Sequence, residues 1–146
     1  MEALSENRRA GFDYEILQTY EAGLELLGSE VKSVATGKAN LAGTYAIIRG
    51  EEVFVVGMDI PPYQAKNIQE GYDSQRVRKL LLNKAEIDEL AGRVKQERLT
   101  IVGLKLYKKG PRIKLLLGLG KSRQKADKRE HLKQKEANRE IRKQLS

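Results

Sequence analysis

The stretch YEILQTYEAGLEL, residues 14–26, decides the fold. Apolar side chains recur at every second position, interrupted only by Gln18, and occupy Tyr14, Ile16, Tyr20, Ala22, Leu24 and Leu26. Alternation with a period of two predicts a long strand with one buried face. Gly23 within this strand predicts a bulge or a sharp bend, which a strand needs when it turns the corner of a small barrel.

A short helix is predicted directly after this strand, over residues 28–37. Ser29 is a candidate N-cap, Glu30 suits the positive end of the helix dipole, and Gly37 can end the helix. The apolar side chains share one face and are Val31, Val34 and Ala35. A stripe of that size suits a helix that plugs the end of a small barrel.

Further strands and one longer helix account for the rest of the body. Asn83 and Glu86 form a capping box for a helix that extends to about Arg98. A polar loop is predicted over residues 63–76. Strands are predicted over residues 44–49 and 52–58, joined as a hairpin at Gly50-Glu51, and over residues 99–106 and 113–119, joined by a turn at residues 108–111. This pattern predicts a mainly β chain with short helices, folded as a small OB-like antiparallel barrel. A split α+β sandwich is the structural alternative.

Charge divides the chain into a near-neutral body and a basic tail. Residues 121–146 hold ten of the 28 Lys and Arg residues and four acids, whereas residues 1–120 hold 18 bases and 16 acids. The tail has few apolar side chains to bury, so we expect it to be disordered alone and to order against a polyanion by releasing counterions. We therefore predict a polar and basic N-terminal arm over residues 1–12, the OB-like barrel over residues 13–120 and the basic tail over residues 121–146.

Composition excludes several classes of protein. The chain has no cysteine, which rules out disulfides and thiolate metal sites. It has no apolar run near the length of a membrane-spanning helix, so we expect a soluble, cytoplasmic protein. The net charge of +8 favours a nucleic-acid partner.

No catalytic constellation is visible in the sequence. The segment Gly118–Ser122 ends like a phosphate-binding loop, but that motif needs a glycine where this chain has Leu115. His131, the only histidine, stands in the tail without a residue to orient it as a general base. The acid pairs at 51–52 and 88–89 do not supply three ligands for a metal. We expect no enzymatic activity, no cofactor and no metal.

Aromatic and basic side chains together suggest an interaction surface. Four tyrosines lie in the predicted strands or at their ends, beside basic groups, and are Tyr14, Tyr20, Tyr45 and Tyr63. Such rings can stack on nucleobases, as in OB-type modules, or can pack in the core and rim, and the sequence leaves both open. A second basic cluster, Arg76, Arg78 and Lys79, precedes the capped helix.

Several short motifs are distributed along the chain from residue 7 to about residue 140, and their order along the chain matches that of one known protein family. The motifs are Asn7–Ala10, Tyr20–Leu24, Gly28–Ser33, Gly37–Asn40, Arg78–Leu82, Leu104–Tyr107 and Asp127–Glu130. Together they resemble the SsrA-binding protein family (small protein B, SmpB). The resemblance implies an OB-like barrel with helices that binds the tRNA-like domain of transfer-messenger RNA (tmRNA). It also implies that the complex enters stalled ribosomes, where the protein stands in for the missing codon–anticodon pairing.

The resemblance and the surface described above give two sets of site residues. The expected contacts with tmRNA are Asn7, Arg8, Arg9, Glu21, Tyr45, Arg78, Lys79 and Leu81, although Leu81 could equally be a core residue. The expected contacts of the tail with the decoding centre and the empty mRNA channel are Lys121, Arg123, Lys125, Asp127, Lys128, Arg129 and His131. An acid such as Glu21 fits an RNA site by accepting bonds from base donors or by holding a neighbouring Arg.

The function implied by the resemblance is that of an RNA-binding adaptor of trans-translation, which rescues ribosomes stalled on non-stop mRNA. The expected partners are tmRNA, the small-subunit rRNA and, through the RNA complex, elongation factor Tu. The protein is expected to be a monomer that binds no membrane. Two alternatives stay open, a general OB-type single-strand nucleic-acid binder and an RNA-processing enzyme.

Overall fold

The fold is given by a computed structural model that describes residues 3–64, 71–123, 129 and 132–139. The strands and helices of the body follow one another in the order β1 (Ala3–Glu6), α1 (Ala10–Asp13), β2 (Tyr14–Leu24), α2 (Gly28–Ala35), β3 (Tyr45–Arg49), β4 (Glu52–Val56), β5 (Arg78–Leu81), α3 (Lys84–Glu97), β6 (Thr100–Lys109) and β7 (Arg112–Ser122). Strands dominate and the helices are short, which confirms the predicted fold class.

The strands form one antiparallel sheet that closes on itself. Its hydrogen-bonded order runs β6–β3–β4–β5–β2–β7, and β7 pairs again with β6. β1 pairs with residues 105–107 of β6, beyond the point where β3 pairs with Ile101 and Val102 of the same strand. The closed ring is the arrangement expected of a small OB-like fold, and it does not correspond to a split sandwich.

The core fills the inside of the ring. Every second side chain of β4, of β7 and of the second half of β2 contributes to it, and among these Ala22, Val53, Val55, Leu115, Leu117 and Leu119 are almost completely buried. Val34 of α2 and Leu90 of α3 are also fully buried in this cluster. Because side chains alternate along a strand, the intervening residues of the same strands point outward and are available for contacts.

β2 is the strand predicted from the alternating pattern, but its irregularity lies elsewhere. Its register with β7 shifts between Ile16 and Gln18 and is regular from Glu21 to Gly23, so Gly23 does not form the bulge that was one of the two predicted irregularities. Gly23 instead lies opposite Leu81 of β5, and a Cβ atom on it would lie 3.1 Å from the Leu81 Cβ. The absence of a side chain at Gly23 therefore lets the Leu81 side chain lie close to the backbone of β2.

α2 is the predicted short helix, but its start differs from the prediction. The N-cap is Leu27 and not Ser29. The Leu27 backbone N–H donates to Glu30 Oε1 at 2.8 Å, so Glu30 closes the first turn. The helix ends as predicted before Gly37, which has φ +78° and adopts the left-handed conformation that favours glycine.

The buried face of α2 also differs from the predicted apolar stripe. It consists of Glu30, Ser33 and Val34, whereas Val31 and Ala35 are exposed. The prediction fails because Glu30 finds cationic partners far away in the sequence and is buried with them, which local periodicity cannot reveal.

The capped helix and the β3–β4 hairpin are confirmed. Asn83 Oδ1 accepts a hydrogen bond from the Glu86 N–H at 2.8 Å, and Glu86 Oε1 accepts one from the Asn83 N–H at 3.2 Å. The hairpin pairs Arg49 with Glu52 around the predicted Gly50-Glu51 turn.

The two chain ends contain less predictable structure. The N-terminal segment, described as an arm from its polarity, contributes β1 and the start of α1. Residues 65–70 of the predicted loop lie outside the described residues, as does most of the basic tail. The described tail residues 129 and 132–139 are helical and exposed.

Candidate nucleic-acid interface

Three of the predicted contact residues meet around one pocket between α1 and the strands β3 and β6. Asn7, Arg9 and Tyr45 line this pocket of about 290 Å³ together with Tyr14 and Thr44. Tyr45 is 43% exposed, so its ring is accessible for stacking. An exposed aromatic ring beside a cation is the pattern with which proteins hold single-stranded nucleic acid.

Local contacts fix the positions of Asn7 and Arg9. Asn7 Nδ2 donates to the Gly103 carbonyl at 2.9 Å, which ties the start of α1 to β6. Arg9 Nε lies 3.3 Å from Asp13 Oδ2, and the guanidinium carbon lies 5.2 Å from the centroid of the Phe12 ring. Asn7 therefore has a structural role beside any contact with a ligand, and Arg9 presents an exposed, oriented cation.

Glu21 lies on the outer face of β2 and is engaged by two groups of β6. Its Oε2 accepts a hydrogen bond from the Tyr107 hydroxyl at 2.5 Å, and its Oε1 accepts one from Lys109 Nζ at 3.0 Å. These two donors hold the pKa of Glu21 below its ordinary value. Burial, and then the bond to Glu21, raise the pKa of the Tyr107 hydroxyl well above its ordinary value. Glu21 is thus a charged carboxylate that orients a neighbouring cation, as predicted. The cation is Lys109 and not an arginine.

Leu81 is 47% exposed, which excludes the alternative that it is a core residue. It lines a groove of about 390 Å³ together with Val31, Arg112 and Lys114. Leu81 pairs with Gly23, and Glu21 precedes Gly23 by two positions on the same strand. Since residues two apart in a strand share a face, Glu21 and Leu81 lie on one side of the sheet.

The prediction that Arg78 contacts RNA is wrong. Its side chain is 0% exposed and its guanidinium is used inside the protein. Nε and Nη2 donate to Glu30 Oε2 at 2.8 and 2.6 Å, and Nη1 donates to the Met58 carbonyl at 2.9 Å. The neighbouring Lys79 points to the other face, where its Nζ lies 3.5 Å from Glu52 Oε2. Arg76 also binds Glu30, with its Nε donating to Oε2 at 3.1 Å, so two of the three residues of the predicted basic cluster are structural.

The tyrosines divide between the two roles that the sequence left open. Tyr20 is buried in the core, and its hydroxyl donates to Glu89 Oε1 at 2.6 Å. Burial, together with this bond, raises the pKa of Tyr20 to about 12. Tyr45 and Tyr63 are exposed, and Lys38 Nζ lies 5.3 Å from the centroid of the Tyr63 ring.

The start of the tail is attached to α1. Lys121 still belongs to β7 and lies opposite Glu15. The Arg123 backbone N–H donates to the Asp13 carbonyl at 2.9 Å, and its Nε donates to the Gly11 carbonyl at 3.3 Å. Arg8 and Arg129 are exposed. The remaining predicted tail contacts lie outside the described residues, and they are Lys125, Asp127, Lys128 and His131.

Two side chains complete the Glu21 site but are not among the site residues predicted from the sequence. Tyr107 and Lys109 both reach Glu21 from β6. Lys109 belongs to a segment predicted to be a turn, but in the structure it is the last residue of β6. The burial of Tyr107 has no local signature.

Metal-binding clusters and membrane-spanning helices are both absent from the described part of the chain. The residues placed by the structure contain no group of three His, Asp or Glu side chains suited to a metal. None of the helices in those same residues is both long and apolar enough to cross a bilayer.

The chain is similar to one protein family and to named members of it along nearly its whole length. The family model described as SmpB protein matches residues 4–146. An SsrA-binding protein of Thermosynechococcus vestitus is 49% identical over 141 residues, which cover 97% of this chain and 93% of that protein. An SsrA-binding protein of Anoxybacillus flavithermus is 48% identical over 138 residues, which cover 94% of this chain and 89% of that protein.

A solved structure is also similar to this chain. It is described as "tmRNA-SmpB: a journey to the center of the bacterial ribosome", and the matching chain is 43% identical with a TM-score of 0.69. The match covers 87% of this chain and 92% of the other chain.

Proposed function

We propose that this chain, which belongs to the SmpB protein family, is a non-enzymatic RNA-binding adaptor that delivers tmRNA to stalled ribosomes. The observation that carries the proposal is its similarity, at 43% identity over 87% of its length, to a chain of a tmRNA–SmpB structure. The high identity to SsrA-binding proteins along nearly the whole chain agrees with this role.

The body is the part that grips the RNA in this proposal. Asn7, Arg9 and Tyr45 form one contact region around the pocket beside α1. Glu21 and Leu81 form a second region on the face of β2 and β5. The exposed Arg8 and the partly exposed Lys79 add positive charge, which strengthens binding to phosphates through counterion release. Arg78 is not part of this interface because it is buried.

The tail is the part that enters the decoding centre and the empty mRNA channel. Its ten bases and four acids favour an rRNA-lined path, and we assign contacts with rRNA to Lys121, Lys125, Asp127, Lys128, Arg129 and His131. Arg123 instead attaches the start of the tail to α1. The protein acts in the cytoplasm as a monomer, and it meets elongation factor Tu through the RNA complex.

A truncation after Arg123 tests the division between grip and tail. It removes residues 124–146 but keeps β7 and the bonds of Arg123 to α1. We expect binding to the tRNA-like domain to remain near that of the full chain, while tagging of stalled nascent chains is lost. A control chain with residues 124–146 in scrambled order keeps the charge and should also fail to tag. Equal loss of binding and tagging in the truncated chain would contradict the proposal.

Competition between RNAs separates this function from the two alternatives. Labelled tmRNA is displaced by unlabelled tmRNA or by an unrelated single strand of equal length, at physiological salt. An adaptor for a folded RNA prefers tmRNA strongly, whereas a general single-strand binder is displaced equally well by both. Recovery of the RNA uncut and unmodified is expected, and a processed product would favour the enzyme.

A further inference from the structure

The end of the β6–β7 hairpin carries a concentrated positive charge. Residues 104–114 contain five cations and no acid, and the cations are Lys105, Lys108, Lys109, Arg112 and Lys114. The two strands pair to their ends, with Lys109 opposite Arg112 and Tyr107 opposite Lys114. Lys108, Lys109 and Arg112 are exposed, so the hairpin presents its cations on a defined, hydrogen-bonded support.

Glu21 of β2, the strand that pairs with β7, forms hydrogen bonds with two side chains of this hairpin. Both of its carboxylate oxygens accept a bond from β6, Oε2 from the Tyr107 hydroxyl and Oε1 from Lys109 Nζ. Lys109 is still 55% exposed in its side chain while it makes this bond. A free lysine loses much rotamer entropy when it contacts a phosphate, but a lysine already held by a carboxylate has less to lose.

The groove beside the hairpin connects the cations with the exposed Leu81. Arg112 and Lys114 belong to the hairpin and also line the groove that contains Leu81. A nucleic-acid strand lying across this face would meet cations along its backbone and an apolar surface for an unstacked base.

We propose that the end of the β6–β7 hairpin contacts the RNA backbone through Lys109, and that Glu21 is a positioning residue that holds Lys109 in place. Glu21 thus supports RNA binding through Lys109 and not through a bond of its own to a base. The proposal rests on the proposed function, because it assigns the chemistry of one of its contact regions.

A double-mutant cycle tests this role. The variants are Glu21→Gln, Lys109→Met and the two combined, and affinity for the tRNA-like domain is measured over a series of salt concentrations. Lys109→Met should weaken binding several-fold and lower the salt dependence by the equivalent of about one phosphate contact. Glu21→Gln should weaken binding in the parent chain and have no further effect when Lys109 is already Met, because the coupled pair acts as one unit.

Two outcomes would overturn the proposal. The same loss from Glu21→Gln in both backgrounds means that Glu21 contacts the RNA itself. An unchanged affinity and salt dependence in Lys109→Met means that the hairpin is not a contact. Lys95→Met, on the exposed surface of α3, is the matched control for loss of one lysine, and thermal unfolding of each variant checks folding. Selective binding of tmRNA by the parent chain is measured first, so a failure of the proposed function is recognised separately.

Discussion

At the scale of single residues, Glu30 and Arg78 form an ion pair inside the protein. They are 1% and 0% exposed, and Arg76 and Tyr72 also bond to the same carboxylate. The remaining guanidinium hydrogens of Arg78 reach backbone carbonyls, including that of Ser74 at 2.9 Å. This cluster joins α2 to β5 and to the segment that precedes β5. Removing one partner of a buried pair typically costs about 3–5 kcal/mol, because the other charge stays buried and unpaired.

The Glu30 carboxylate makes the stability of the protein sensitive to acid. Burial alone would raise its pKa, but hydrogen bonds from Arg76, from the Leu27 N–H and from Arg78 outweigh burial and lower the pKa to about 2. A carboxyl whose folded-state pKa is lowered stabilises the fold above its unfolded-state pKa of 4.5 and loses that contribution as the pH falls toward 2. The contribution is on the order of 3 kcal/mol.

We therefore expect Glu30→Gln to flatten the loss of stability between pH 5 and about pH 2. The measurement is the free energy of unfolding by urea at several pH values for parent and variant. Glu97→Gln is the matched control, because Glu97 is an exposed partner of Arg93 in α3 and such pairs contribute little. An acid dependence in Glu30→Gln as steep as that of the parent would contradict the role assigned to this carboxylate.

At the scale of strands and helices, sequence patterns predict the elements that depend on interactions between residues close together in the sequence. The alternation along residues 14–26 predicts β2, and Asn83 with Glu86 predicts the start of α3. Contacts between distant residues are invisible to such signals. Arg78 looks like part of an exposed basic run, and its burial depends on Glu30, 48 positions earlier. Tyr107 reaches Glu21 only because β6 and β2 both flank β7.

The two helix starts give a direct test of this distinction. Asn83→Ala removes a side chain that accepts a backbone hydrogen bond at the N-cap of α3, so we expect a loss of about 1 kcal/mol in the free energy of unfolding. Ser29 looks like an equally good N-cap in the sequence, but it lies inside the first turn of α2. Ser29→Ala should therefore change the stability by less than about 0.5 kcal/mol. Urea unfolding measures the stability of both variants. A loss above about 0.5 kcal/mol from Ser29→Ala would contradict the assignment of Leu27 as the N-cap of α2.

At the scale of the whole molecule, the ring is held together unevenly. β7 pairs along nearly its whole length with both β2 and β6. β5 pairs with β2 through Leu80 and Leu81, with one further bond from the Glu25 N–H to the Lys79 carbonyl. β3 pairs with β6 through Tyr45 and Ala46, with one further bond from the Gly103 N–H to the Thr44 carbonyl. The two short seams thus contain the two exposed side chains, Leu81 and Tyr45, that belong to the proposed contact regions.

This coincidence has a physical consequence, because short seams have few backbone hydrogen bonds to oppose local opening. We expect amide hydrogen exchange to be slowest in β7 and the paired parts of β2 and β6, and faster in β5 and at the start of β3. Binding of the tRNA-like domain, which contacts both seams in our proposal, should slow exchange at residues 78–81 and 45–46 and leave the centre of β7 nearly unchanged. Hydrogen–deuterium exchange mass spectrometry of the free protein and of the complex measures this difference. An unrelated single-stranded RNA at the same concentration is the control. Protection confined to α3 or to the β3–β4 turn would show that the contact surface lies away from both seams.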